Sequence, residues 1–205
     1  MVRMTHHAAL AALILGVGGT LPAAAQTANP DPAAAHPGAY TVEEAHTRVL
    51  FSVNHMGLTT YYGDLTGVTG TLKLDPHNPA ASSVAVSMPV ASISTTNKKL
   101  DGMLVGPNWF DAAQYPAITF HSTRVAPTGP RSADITGDLT IHGVTRPVVL
   151  QAHYNAGGDN VLEGAYEVGF DATTTIKRSD FGVSKYIPLV GDAVTITISA
   201  AFEKK

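Results

Sequence analysis

The sequence predicts an all-β chain closing as an antiparallel barrel of eight or so strands, and three observations carry that prediction. Stretch after stretch alternates apolar and polar side chains with period two, which places one apolar face on each strand. Glycine (19 residues) and proline (13 residues) are frequent and spaced as turns. Patterns of helical period are short and confined to one place. Closing such a sheet removes its edges and gives all the apolar faces one interior. A two-sheet sandwich buries the same faces and is the alternative.

In chain order, residues 1–25 read as a secretory signal peptide. Arg3, His6 and His7 form a polar start, Ala8–Val17 is a compact apolar run, and Ala23-Ala24-Ala25 offers a small-residue cleavage site. The run is shorter than the ~20 residues that span a bilayer, so export is expected without stable membrane insertion. Residues 26–38, rich in Ala, Pro and Asn, read as a solvated linker, leaving 39–205 as the folded domain. Without Arg3 the chain has 12 Lys+Arg against 16 Asp+Glu, a net charge of −4 with no basic run. Nucleic acid is thereby excluded as a partner. Cysteine is absent, so the fold relies on its hydrophobic core.

Tyr40–Val42 begins the ordered chain as a short strand, and His46–Met56 is the next. In the latter Val49, Phe51, Val53 and His55 share one face. The glycines between Gly57 and Gly70 predict bent or bulged strands. Thr71–Leu74 follows and ends in the turn Asp75–Pro79. Val84, Val86, Met88 and Val90 make another one-sided strand. From Asn97 to Ala113 the period changes: Leu100, Met103, Leu104, Trp109 and Phe110 predict two short helices across one end, broken at Pro107. Ile118, Phe120 and Ser122 return to strand spacing. Further strands carry Ile135–Ile141, Val144–Tyr154, Tyr166–Ala172 and Val194–Phe202, with a turn expected at Asn155–Asn160. An irregular stretch, Ile176–Asp192, precedes the last strand.

Many inward positions are Ala, Gly, Ser or Val, and aromatic residues total 7%. Small side chains leave volume unfilled, and an eight-stranded barrel has room for one small ligand. The faces assign Phe51, Val53, Met88, Ile118, Phe120, Leu139 and Phe170 to the lining, with Leu104, Trp109 and Phe110 as a lid. His55 extends the apolar face toward the rim, either hydrogen-bonded there or against a ligand. Arg178, Asp180 and Phe181 either hold a polar head group at the mouth or form an Arg–Asp pair and a Phe plug. The spacing of His46, His55, His121, His142 and His153 contains no metal motif. No G-x-S-x-G marks a nucleophile.

Several motifs in order then resemble one family. His46-Thr47 is followed by Val49-x-Phe51-x-Val53-x-His55-x-Gly57. Ser92-Ile93-x-Thr95, Trp109-Phe110-Asp111 and Tyr115-Pro116-x-Ile118-Thr119-Phe120-x-Ser122 come next. Gly137–Thr145 and Arg178-Ser179-Asp180-Phe181-Gly182 complete the series. From Tyr40 to Phe202 the chain resembles the YceI-like, polyisoprenoid-binding family of exported bacterial proteins. It departs from the family mildly: Trp109-Phe110 stands where two phenylalanines are common, and Thr47 where serine is. The resemblance implies a lipocalin-like eight-stranded barrel with short helices covering one end, periplasmic and often a homodimer. It implies a bound isoprenoid or other long-chain lipid: an isoprenoid quinone, a polyprenyl phosphate, or a fatty acid or amide. No enzyme activity, metal or further cofactor is expected. The rival readings are an enzyme acting on such lipids, with His55 or His121 as base, and a stress or adhesion protein whose barrel is packed solid.

Overall fold

The computed structural model describes residues 28–205; the signal-peptide assignment, residues 1–25, lies outside them. Nine strands form one sheet. They are β1 (Gly38–His55), β2 (Thr59–Leu65), β3 (Thr69–Leu74), β4 (Ser83–Pro89), β5 (Ala117–Gly129), β6 (Ser132–Ile141), β7 (Val144–Asn160), β8 (Ala165–Lys177) and β9 (Val190–Lys204). Each neighbouring pair is antiparallel. The pairing of β1 with β9 closes the sheet, which decides for the barrel over the sandwich. Strands β2 and β3 pair with the two ends of the same edge of β1 and act as one interrupted stave. The barrel therefore has eight staves.

The two strands expected at Tyr40–Val42 and His46–Met56 are one strand, β1. Its inward residues change parity, from Tyr40 and Val42 to Val49, Phe51 and Val53, so strict alternation does not hold along its length. A bulge between Glu43 and Arg48, five steps on β1 against two on β9, absorbs an odd number of extra residues. Its loose backbone is tied down locally. The Glu43 carboxylate accepts from the Ala45 and His46 N–H groups, and the Thr47 hydroxyl donates to the Glu43 carbonyl and accepts from the Ala201 N–H. A second bulge, between Ser122 and Arg124 on β5, shifts the inward set from Phe120 to Val125.

The structure corrects three other expectations. Residues 28–38 are not a solvated linker. Asn29 exchanges backbone hydrogen bonds with Gly157, Pro32–Ala34 form a 3-10 turn capped by Asp31, Ala35 is buried, and His36 stacks on Tyr166 at 3.9 Å. The expected turn at Asn155–Asn160 is strand, because a bulge after Tyr154 lets β7 continue to Asn160. Of two expected helices one forms: α1 (Lys98–Leu104), capped by the Asn97 side chain accepting from the Leu100 N–H. Gly106 and Pro107 stop it, and the chain to Tyr115 is a series of turns.

Two buried clusters divide the interior. The larger joins Trp109, Phe120, Phe181 and Leu104 beneath α1. The smaller gathers Tyr40, Tyr154, Val168 and Phe202 at the opposite end, under the N-terminal segment. Val42 and Val84 pack against both clusters, yet the interior between them is not filled.

Candidate functional site: an apolar lumen

The unfilled space is a cavity of about 510 Å³, within the range of pockets that hold small molecules. Its wall is overwhelmingly aliphatic and aromatic. Strand β9 contributes Val194, Ile196, Ile198, Ala200 and Phe202, and β8 contributes Phe170, Ala172, Thr174 and Ile176. The eight steps from Val194 to Phe202 at ~3.3 Å each make ~26 Å of strand. At the usual barrel tilt this is roughly 20 Å along the axis.

Small residues face the lumen at Ala133, Ala152, Ala172 and Ala200, and their shortness leaves the space. The two large rings on the opposite wall lie against it rather than across it. A Cβ on Gly63 would come within 2.3 Å of the Phe51 ring, and one on Gly137 within 2.3 Å of the Phe120 ring. Each ring thus packs over a bare backbone of the next strand, a packing only glycine permits there.

The cavity reaches the surface at both ends, and the two rims differ chemically. At the α1 end its wall includes His55, Tyr61, Met103 and Tyr186. Tyr186 and Met103 are also exposed. At the other end the wall includes Asp75, Pro76, Pro79, Pro127, Pro130 and Arg131. The prolines there need no backbone donor satisfied at the rim.

Thirteen of the fourteen residues predicted to line a site stand on this wall: Phe51, Val53, His55, Met88, Leu104, Trp109, Phe110, Ile118, Phe120, Leu139, Phe170, Arg178 and Phe181. Asp180 does not; it is exposed. The Arg178–Asp180 pair does not form. Arg178 is buried and donates to the carbonyls of Gly191, Val183 and Val190 at 2.8–2.9 Å. Its guanidinium lies 5.7 Å from the Trp109 ring centre. Burial draws its pKa down, opposed by the charge of Asp192. Asp192 accepts from the Ser179 N–H and hydroxyl. Despite partial desolvation, these bonds and the charges of Arg178 and Lys177 hold its carboxyl below the usual range. Arg178 is therefore the clamp of the 178–192 loop, and Phe181, 2% exposed, is its plug.

The lining that sequence reasoning left out is the β9 wall, β8 apart from Phe170, and the rim apart from His55. The β9 residues carried the same alternation as the others and were legible as an inward face. Met103 was legible as part of the helical spacing, whereas Tyr186 carried no signal, since an irregular loop has no period.

The chemistry such a wall supports is burial. Thr95, one of its few hydroxyls, donates to Asp101. His121 lies on the outer, exposed face opposite Asp138, so it is no base for a substrate in the lumen. Among the described residues no group of three His, Cys, Asp or Glu is placed to hold a metal ion. At the far end Tyr40 donates its hydroxyl to the His36 carbonyl. The Tyr154 hydroxyl is buried with no hydrogen-bond partner, as is the Trp109 indole N–H. Burial, with neighbouring phenols, pushes the Tyr40 and Tyr154 hydroxyls up to about 12.

Residues 40–202 match the family model described as a YceI-like domain. A "UPF0312 protein" of Ectopseudomonas mendocina is 36% identical over 196 residues, covering 93% of this chain and 95% of that one. The crystal structure of Burkholderia cenocepacia BcnA superposes with a TM-score of 0.71 at 29% identity, covering 78% of this chain and 98% of that one. A polyisoprenoid binding domain from Saccharophagus degradans, implicated in plant cell wall breakdown, shares the fold with a TM-score of 0.65 at 13% identity, over 81% and 98% of the two chains.

Proposed function

The chain belongs to the YceI-like family, and on that premise we propose that it is a periplasmic carrier holding one long apolar chain in its lumen. The cargo class is an isoprenoid quinone, a polyprenyl phosphate, or a fatty acid or amide, and no bond chemistry is assigned to the protein. The observation that carries this reading is the cavity itself: an aliphatic lumen roughly 20 Å long, continuous from one rim to the other. Water in such a space has few polar partners, so an apolar occupant is favoured over hydration.

The energetics are sufficient. Each buried methylene contributes ~0.8 kcal/mol, so ten contribute ~8 kcal/mol, nominally micromolar before ordering costs. The polymeric character of a prenyl or acyl tail supplies those methylenes with little demand for polar contacts. The shared fold of the Saccharophagus degradans polyisoprenoid binding domain supports the same class of cargo.

Displacement of an apolar fluorescent dye from lipid-free protein tests the proposal. Geranylgeraniol and palmitate are expected to displace the dye with micromolar or tighter midpoints, whereas water-soluble glycerol phosphate is not. Dye that never binds, or binds and is not displaced by either chain, contradicts it. Incubation with the same lipids is expected to leave their masses unchanged; turnover abolished by His55→Gln would instead establish the enzyme reading.

A further inference from the structure

The rim at the α1 end carries apolar side chains that the lumen does not use. Leu58 is 79% exposed, Leu189 58% and Met56 54%, and none of the three lines the cavity. They are held outward by a built scaffold. Met56 donates its N–H to the Leu189 carbonyl at 2.7 Å, joining the β1–β2 hairpin to the loop before β9. The Asn54 side chain accepts from the Gly57 N–H. Met56 and Tyr186 both sit in the left-handed backbone region, at φ 59° and 64°, an uncommon conformation for residues with side chains. Tyr186, 51% exposed, belongs both to this collar and to the cavity wall.

Charge is arranged to match. The segments building this end, residues 55–59, 97–116, 142–143 and 177–192, hold five Lys and Arg against four Asp. The remaining described residues hold seven against twelve. Of the five cations Arg178 is buried, and of the four Asp, Asp101 and Asp192 accept internal hydrogen bonds from Thr95 and Ser179, leaving Lys98, Lys99, Lys177 and Lys185 around Asp111 and Asp180. Lys98 and Lys99 start α1, and the Lys185 ammonium lies over the Tyr186 ring at 5.3 Å. An acidic protein thus sets four lysines around its exposed apolar residues, at an end less acidic than the rest of the described chain.

We propose that this collar docks on an anionic phospholipid surface, with the apolar side chains entering the interface and the lysines meeting the head groups. The inference rests on the carrier reading for its logic. Moving a long chain through water costs ~0.8 kcal/mol for each methylene exposed, and a mouth seated in the interface avoids that exposure. A second copy closing the same face would instead cover the opening. Nothing in the docking requires a spanning helix, and among the described residues none is long and apolar enough to cross a membrane.

Flotation of lipid-free protein with vesicles tests it, using phosphatidylcholine alone and phosphatidylcholine with added phosphatidylglycerol. The protein is expected to float with the anionic vesicles, less so in high salt. Leu58→Asp with Leu189→Asp is expected to lower the bound fraction by roughly tenfold at unchanged melting temperature. Lys98→Gln with Lys99→Gln and Lys185→Gln is expected to remove the preference for phosphatidylglycerol. Dye binding by the Leu58→Asp, Leu189→Asp variant is expected to match the parent, because neither residue lines the lumen, so failure of docking and failure of the carrier reading are read separately. No flotation, or equal flotation of parent and variant, overturns the proposal. So does conversion of a dimer to a monomer by that variant with no change in flotation, which would assign the face to a second copy.

Discussion

Arg178 donates to three carbonyls of the loop it begins, so replacing it leaves several buried acceptors without donors. Arg178→Met is expected to cost roughly 2–4 kcal/mol in urea unfolding, and Arg178→Lys to recover little, because a point charge does not reproduce the planar fork. Full recovery by lysine would contradict the clamp. The tyrosines at the other end make a paired test. Unfolded tyrosine ionises near pH 10, whereas Tyr40 and Tyr154 are pushed up to about 12 in the fold. Their neutral form is favoured when folded, so the associated stability is present below pH 10 and is lost as pH rises toward 12. Tyr154→Phe removes a hydroxyl that has no partner and is expected to hold or raise stability at pH 7 while flattening the alkaline loss. Tyr40→Phe gives up the bond to the His36 carbonyl and is expected to cost about 1 kcal/mol. Urea midpoints at pH 7 and pH 11 separate the two.

Strand β9 shows how an element serves both closure and lumen. Its inward residues Val194, Ile196, Ile198 and Ala200 line the cavity, and its two edges pair with β1 and β8. Thr197 faces outward between Leu50 and Thr173, so Thr197→Pro touches the ladder and not the lumen. It is expected to destabilise by ~3 kcal/mol or more. Ala172 and Ala200 test the lumen in the opposite sense. If their methyls face empty space, Ala172→Leu or Ala200→Leu is expected to leave stability within about 1 kcal/mol and to weaken dye binding. In a filled core the same changes would cost 1–3 kcal/mol by overpacking, and that cost would count against the cavity. The apolar faces of β6, β8 and β9 were legible as period-two runs because each strand keeps one parity throughout. The face of β1 was legible only from Val49 onward, since the bulge at Glu43–Arg48 resets the parity and no local residue pattern marks where a bulge will form. The second helix failed for a related reason: Leu100, Leu104, Trp109 and Phe110 face one interior, but Gly106 and Pro107 prevent a continuous backbone between them.

At the scale of the whole molecule, eight staves close around more space than their side chains fill, and the ends are finished differently. Residues 28–37 pack over the tyrosine cluster, while α1 and the 178–192 loop frame the apolar collar. The barrel and the eight strand-borne lining residues were legible because burial of one face per strand is a repeated, local signal. The docking of residues 28–37 was not, because an Ala- and Pro-rich segment gives no periodicity and its order comes from Tyr166 and Gly157, more than a hundred positions away. The absence of an Arg178–Asp180 pair has the same origin: neighbours in sequence need not meet, and the fold brings the charge of Asp192 to Arg178 instead. The central claim is that the lumen is occupied by one long apolar chain. Native mass spectrometry of protein purified from its own host, followed by solvent extraction, tests it most directly. The expected result is a mass above that of the bare chain, lost on extraction and recovered as a single prenyl or acyl lipid. A bare mass that stays bare after incubation with prenyl and acyl lipids would contradict it.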